Sequence, residues 1–329
     1  MANLPLSFAC GLYDRMLPLY TGEVRPQGID LDFRVFDWPR DIFDRMAGKQ
    51  EFDASEMSIS EVISRIAADQ CPFVALPVFP SRVFRHGYIA VDRRVIRSPK
   101  DLAGKRIGVP LYTMTAAVFI RGLLSEDYGV DLSGVRWIEG AINSPEAHGK
   151  PTVLPPVRPV SIETNDSGRS LSDLLAAGEI QGIIGTSLPA ALRTHAHVQR
   201  LFPDFREVEK EYYRRTRIFP IMHLVVIRRA VYKEHPFVAE SLYRAMCASK
   251  DRALEKMRYL GALRYMLPWL PADMDEIDEV FGGDPWPYGI EPNRPTLEAV
   301  IRYMVDQGLI DAPLTVEDIF EPLRDGCIF

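Results

Sequence analysis

The chain has 329 residues, 47% hydrophobic and 26% charged, the balance of an ordinary globular protein with room for two domains. Its formal net charge of −6, with no Lys/Arg run, leaves no footprint for nucleic acid or for an anionic membrane surface. No stretch nears the roughly 18 apolar residues that span a bilayer, and "MANLPLSFACGLYDR" lacks the parts of a secretory leader, so a cytoplasmic location is expected.

Residues 4–11, "LPLSFACG", read as a short apolar strand, and "RMLPLYTGEV" as a helix that Pro18 interrupts early. "IDLDFRVFD" (29–37) alternates with period two, the mark of a half-buried strand. "PRDIFDRMAG" opens a helix on proline and closes it on glycine. "FDASEMSISEVISRIAA" passes from strand into helix, with Ser55 or Ser58 placed to cap it. This βαβα order predicts a parallel sheet carrying helices.

The first long extended segment, "CPFVALPVFPSRVFRHGYIAVD" (71–92), is expected to break at its three prolines and to resume as "RVFRHGYIAV". "DLAGKRIGVP" predicts a turn at Gly104 and a strand ending at Pro110. In "TMTAAVFIRGLLSEDYGV", Ala116, Phe119, Ile120, Leu123 and Leu124 fall on one helical face. The Pro-rich stretch 140–159 predicts a surface excursion inside the second unit. "VRPVSIE" predicts a strand, and "SLSDLLAAGEIQGIIGTSLPAAL" a helix, a glycine turn, a strand and a loop at Thr186-Ser187. The second long extended run is "FPIMHLVVIRR" (219–229), followed by helices interrupted by the loop "FGGDPWPYGIEPNRP" (281–295). Cys10, Cys71, Cys247 and Cys327 are widely spaced with no CxxC pair, which predicts lone thiols and no zinc site.

The extended segments near 82–91 and 218–228 bracket a self-contained βα unit. A chain that leaves one domain, builds another and returns makes two α/β lobes, near 1–88 plus 222–329 and near 89–221, joined by two crossover strands. The cleft of such a pair lies at the carboxyl ends of both sheets.

This layout, with "DLAGKRIGVP" and "SLSDLLAAGEIQGII", resembles the type II periplasmic-binding-protein fold, although Gln181-Gly182 stands where that family favours Asp-Ala. A narrower set resembles the 4,5-dihydroxyphthalate decarboxylase family, intracellular relatives of solute-binding proteins. It comprises "FDASEMSISE", "FRHGYIAV", "GVPLYTMTAAVFIRG", "FPIMHLVVIRR" and "DPWPYGIEPNRPTLEAVIRYMVDQGLI". The resemblance implies a carbon-carbon lyase of aromatic catabolism that takes 4,5-dihydroxyphthalate to protocatechuate and CO2.

Such a reaction protonates the ring carbon that bears the carboxylate and then loses CO2. It calls for a proton donor, a base near the phenol and an anion cradle, with no redox cofactor. The cradle candidate is "GVPLYTMTAAV", where a strand runs into a helix start and Thr113 and Thr115 add hydroxyls. A plain cap is the alternative there, and for Ser58 on the facing lobe. In the first crossover, Arg82 and His86 share strand parity and are expected to face the cleft, while Arg85 is expected to be a solvated charge. Arg15, at the first strand-to-helix turn, joins the substrate-binding set, as does Thr186 in its loop.

His86 and His223 each sit on one crossover segment, and an imidazole that titrates near neutrality suits proton transfer to carbon. Both are assigned as acid/base residues, with core packing as the competing role. Glu56 and Glu163 are candidate carboxylate partners, each with a surface reading as well. A divalent metal on a His86/His223/Glu set is the minor alternative, since no ligand spacing supports it. His195 and His197 read as surface. Asp284, Trp286 and Tyr288 of the C-terminal loop resemble a family motif, with stacking on a ring substrate and packing of the lobe as the two readings of an aromatic there. The expected partner is a small aromatic carboxylate, and a homo-oligomer is left open. The competing function is a non-catalytic solute-binding protein for a small anionic or aromatic ligand. A thiamine-precursor enzyme or binder of related fold would want a cysteine- or histidine-rich centre, which the chain lacks.

Overall fold

A computed structural model describes residues 2–145 and 151–321. Its strands are β1 (Leu4–Cys10), β2 (Ile29–Val35), β3 (Ala54–Ser58), β4 (Phe73–Arg82), β5 (Ile89–Asp92), β6 (Arg106–Val109), β7 (Arg136–Glu139), β8 (Ile162–Thr164), β9 (Gly182–Ile184), β10 (Val198–Arg200) and β11 (Ile221–Arg228). Its α-helices are α1 (Leu17–Tyr20), α2 (Pro39–Lys49), α3 (Ile59–Ala67), α4 (Thr115–Glu126), α5 (Leu171–Ala176), α6 (Ala191–Thr194), α7 (Phe205–Thr216), α8 (Arg229–Glu234), α9 (Phe237–Arg258), α10 (Leu270–Phe281) and α11 (Arg294–Asp306).

The strands form two sheets, ordered β2-β1-β3-β11-β4 and β10-β5-β9-β6-β7-β8. In the first, β1 runs parallel to β2 and β3, while β11 returns antiparallel between β3 and β4. The chain therefore builds most of one sheet, leaves after Arg82, builds the other, and comes back at Ile221 to fill a gap. That is the two-lobed, two-crossover fold of periplasmic binding proteins. The crossovers touch where Val83 donates its N–H to the Pro220 carbonyl at 3.1 Å.

The prolines of the first extended run do not break it. β4 is continuous through Pro77 and Pro80 because it lies at the sheet edge, where a missing N–H costs no ladder bond. Its register with β11 shifts on both sides of His223, a bulge that absorbs the prolines and re-aims the histidine. Pro18 does not interrupt a helix either. It sits in the first turn of α1, where its lacking N–H has no intrahelical acceptor anyway.

Ten consecutive residues of α4, Thr115–Leu124, are buried between the lobes' cores and α11. Arg121 Nε donates to Gln307 Oε1 at 2.7 Å, and Gln307 Nε2 donates back to the Val118 carbonyl at 2.8 Å. At Gly122 an added Cβ would lie 2.3 Å from the Tyr303 ring. Gly122→Ala is therefore expected to cost about 1–3 kcal/mol through overpacking. Urea unfolding measures it, and an unchanged midpoint would mean that the ring swings aside freely.

The Pro-rich stretch is not confined to the second lobe. Thr152 donates its N–H and hydroxyl to Asp44 Oδ1 on α2 at 2.8 and 2.9 Å, and accepts from Arg65 on α3 at 2.5 Å. It ties this stretch of the chain to α2 and α3 of the first lobe. α10 crosses in the opposite sense, with Glu276 paired to Arg206 and Lys210 of α7.

Candidate active site

Glu56 lies in β3, whose five residues are all buried. Its carboxylate is fully inaccessible, and such a group requires donors on every side. Gly11 N–H donates at 3.0 Å, Tyr13 hydroxyl at 2.7 Å and Cys10 thiol at 3.3 Å, from the end of β1 and the turn that follows it. The fourth partner is His223, whose Nδ1 stands 2.5 Å from Oε1. Burial alone would raise the carboxyl's pKa. The His223 charge and these hydrogen bonds outweigh it, so Glu56 titrates below its usual value and is ionised. The same carboxylate, after burial, helps push the Tyr13 phenol and the Cys10 thiol well up, so both stay protonated as donors.

An ionised Glu56 places the shared proton on Nδ1 of His223, leaving Nε2 without a protein partner among the described residues. The imidazole is held edge-on to Phe43 of α2, with ring centroids 4.9 Å apart. Its side chain keeps 17% exposure, so it is neither a core filler nor free in solvent.

Opposite His223 in the ladder is Ser58. Its hydroxyl lies 3.0 Å from Thr115 Oγ1, at the start of α4 in the other lobe. Ser60 joins them: its hydroxyl lies 2.9 Å from Thr115 Oγ1 and donates to the Thr113 carbonyl at 2.9 Å. Met114, the residue before α4, supplies no side-chain cap, so the first-turn N–H groups are left without the usual protein acceptor. Thr113 Oγ1 is buried and has no partner among the described residues. Two helix starts, α3 and α4, thus converge on a set of hydroxyls beside His223. Ser58 occupies the cap position of α3, yet its side chain bridges the lobes in place of capping.

A second group gathers at the hinge. Arg15 is layered between Tyr13 and Trp286, 4.4 Å from each ring, and donates Nε to the Pro80 carbonyl at 2.6 Å. Trp286 donates its indole N–H to the Phe79 carbonyl at 2.8 Å, and Asp284 pairs with Lys250. Tyr13 therefore links this group to Glu56. Arg82 is buried in the hinge, donating to the Phe219 and Pro287 carbonyls and stacked on the Phe219 ring; burial pushes its pKa down to about 9.

Other predicted residues lie elsewhere. The chain turns through a 3-10 helix at His86–Tyr88, so the strand parity that joined His86 to Arg82 does not apply. His86 is 1% exposed within a cage of Tyr128, Phe202 and Tyr212, and burial and then Arg215 push its pKa down to about 4. Its Nδ1 is 3.9 Å from Glu209 on α7, too far for a hydrogen bond. Arg85 is buried over Tyr88 and is no solvated charge. Glu163 lies on the edge strand β8 in an open ion pair with Arg106, and Thr186 is exposed after β9. Tyr288 packs in the hinge wall with its hydroxyl unpaired.

Sequence reasoning did not single out Tyr13, Ser60 or Phe43. Tyr13 had a usable signal, since "CGLYD" follows the first parallel strand at its carboxyl end, where α/β proteins place ligand-facing groups. Phe43 had none beyond helical periodicity.

Across 325 residues the chain is 38% identical to 4,5-dihydroxyphthalate decarboxylase of Comamonas testosteroni, covering 98% of both proteins. It belongs to the 4,5-dihydroxyphthalate decarboxylase family. A second decarboxylase of that name, from Pseudomonas putida, is 39% identical over 216 residues, 65% of this chain and 83% of that protein. No protein-family profile matches the chain. Among solved structures, the periplasmic sulfonate-binding protein SsuA of Methylobacillus flagellatus KT aligns with a TM-score of 0.56 at 15% identity, over 98% of this chain and 93% of that one. The alkanesulfonate-binding SsuA of Xanthomonas axonopodis pv. citri, bound to MOPS, aligns at 0.52 and 11% identity, over 98% and 99%. These structures speak to the fold alone. This family member thus carries the Glu56–His223 pair where β3 and β11 run side by side in the first sheet.

Proposed function

We propose that the chain decarboxylates 4,5-dihydroxyphthalate to protocatechuate and CO2 in the interlobe cleft, with His223 as the acid. The observation that carries this reading is the 38% identity over 98% of the chain to a decarboxylase of that substrate. The buried Glu56–His223 pair supplies the chemistry. Protonated His223 delivers the Nε2 proton to the ring carbon bearing one carboxylate, and the hydroxyl para to that carbon feeds electrons into the ring. The C–C bond then breaks, CO2 leaves without its bonding pair, and those electrons restore the aromatic ring. One proton replaces one carboxylate. No electron is transferred, so no redox cofactor is called for. Glu56, steadied by Gly11 and Tyr13, stabilises the imidazolium and holds the ring's orientation.

The carboxylate that is retained needs a fixed cradle, and the hydroxyls of Ser58, Ser60 and Thr115 with the first-turn N–H groups of α4 offer one. Thr115→Val keeps shape but removes the hydroxyl that joins the two serines. It is expected to raise KM about 10- to 100-fold, the loss of one hydrogen bond to a charged group. An unchanged KM would return this helix start to an ordinary structural role. Among the described residues no group of three or more His, Cys, Asp and Glu side chains is placed to hold a metal, so no ligand set is assigned. No helix of the described residues is long and apolar enough to cross a membrane. The unpaired thiols Cys10, Cys71 and Cys247 suit a reducing compartment, and we place the enzyme in the cytoplasm.

The deciding experiment incubates the purified protein with 4,5-dihydroxyphthalate and follows CO2 and protocatechuate. Formation of both in equal amounts is expected. Tight binding of the phthalate without either product would instead favour a solute-binding protein.

A further inference from the structure

Beside the hinge, bordered by Arg15 of the Tyr13–Arg15–Trp286 stack and lined by none of Glu56, Ser58, Thr115 and His223, lies a cavity of about 330 Å³, within the roughly 300–1,000 Å³ usual for small-molecule sites. Its walls are Phe84, Phe219, Phe281, Trp286, Leu254 and Met257. Phe84 and Phe219 belong to the two crossover segments and stack on each other with centroids 4.5 Å apart at 21°. Phe281 and Trp286 close on Phe219 from α10 and the following loop, at 5.6 and 5.4 Å. These walls fit a flat ring.

The rim decides which ring. Two cations border the cavity, and each is already paired: Arg15 with Asp14, and Lys250 with Asp284 and Asp251. Two of those carboxylates, Asp14 and Asp284, also line the cavity. An anionic ring would meet as much negative as positive charge there and would lose its hydration without net compensation. A neutral hydroxyl meets no such penalty. The guanidinium and the ammonium have N–H groups left over from their present bonds, and the carboxylates accept, so a phenolic O–H is satisfied in both directions.

We propose that this hinge cavity is a binding site for a neutral single-ring phenol or catechol, distinct from the site that takes the phthalate dianion. A ring held against Phe84 and Phe219 is held against the hinge itself, so occupancy biases the angle between the lobes and regulates turnover from outside the substrate site.

The test is calorimetric titration of the whole chain with phenol and with benzoate. Phenol is expected to bind saturably, and benzoate at least about 10-fold more weakly. Ile277→Trp fills the cavity from α10, on a partly exposed position, and should abolish both phenol binding and any further effect of added phenol on turnover. Ala253→Leu, from α9, repeats the test in case the first variant fails to fold. Phenol binding untouched by either filled cavity, or benzoate binding as tightly as phenol, overturns the proposal. In the kinetic arm, which rests on the decarboxylation proposed above, phenol should inhibit non-competitively, and purely competitive inhibition overturns it. The calorimetry needs no turnover, so the two readings fail separately.

Discussion

His223→Gln is expected to fold as the wild type does and to turn over 4,5-dihydroxyphthalate on the order of 10²-fold or more slowly, the scale of a positioned acid. Glutamine keeps the size and polarity of the imidazole and retains an amide N–H to give to Glu56 Oε1. It carries no proton that it can release to carbon. The contrast with His223→Ala separates two roles. A packing histidine would lose stability as alanine, recover part of it as glutamine, and show activity that follows the folded fraction. An acid loses kcat in both variants, whatever the melting temperature does. His86 provides the internal comparison. It is enclosed by Tyr128, Phe202 and Tyr212 with neither ring nitrogen bonded, so His86→Gln should lower the melting temperature and leave kcat per folded molecule near normal. Melting curves and kcat on the three variants decide it. A folded His223→Gln enzyme with near-normal kcat would leave His223 a structural residue.

The contrast between the two histidines also marks where sequence reasoning reaches its limit. Strand and helix order follow from local periodicity, and the two long extended runs already announce a chain that leaves one sheet and returns. Parity along a strand is local too, and at His223 the chain is still in the sheet, on the interior strand β11, although the bulge against β4 re-aims the side chain. At His86 it fails because the chain has left the sheet after Arg82 and turned, so counting residues no longer tells which way a side chain points. The ionic partners were less legible still. Glu56 and Glu163 carry the same residue type and similar apolar flanks. What distinguishes them is that β3 is central and β8 is an edge, a matter of sheet order that no single segment encodes. Tyr13, after β1, and Ser60, in the first turn of α3, reach the site in directions that depend on the sheet being assembled. Arg85 looked solvated only because charge was read without Tyr88 stacked beneath it. The hinge cavity is made of residues from five separate segments, and of its lining the sequence pointed only to Arg15, Asp284 and Trp286, as substrate contacts and not as walls of a second cavity.

Glu56→Gln is expected to lower kcat by about 10²- to 10⁴-fold, the range seen when the carboxylate behind a catalytic imidazole becomes an amide. Gly11 and Cys10 donate to Oε2 and Tyr13 to Oε1, so the one amide oxygen keeps the Gly11 and Cys10 donors when its NH2 faces Tyr13 and His223. What changes is the face shown to His223. An amide cannot hold an imidazolium as a carboxylate does, and its N–H, if turned toward Nδ1, favours the wrong tautomer. Stability should change as well, with a sign fixed by linkage. Glu56 titrates below its usual 4.5 in the folded chain, so the folded state binds its proton more weakly than the unfolded state. The stabilisation is therefore full above the unfolded value and is lost as pH falls through the folded one. At pH 7 the neutral amide stands in for the protonated acid, the form the fold disfavours, so Glu56→Gln should be less stable than the wild type. On acidification the wild type loses this contribution while the variant has none to lose, and the gap between them should narrow. Urea unfolding of both proteins at pH 7 and pH 4, alongside kcat at pH 7, measures the two effects independently. A gap that stays constant with pH would mean that Glu56 is not held ionised by His223, and a near-normal kcat would remove the carboxylate from the proposed proton delivery.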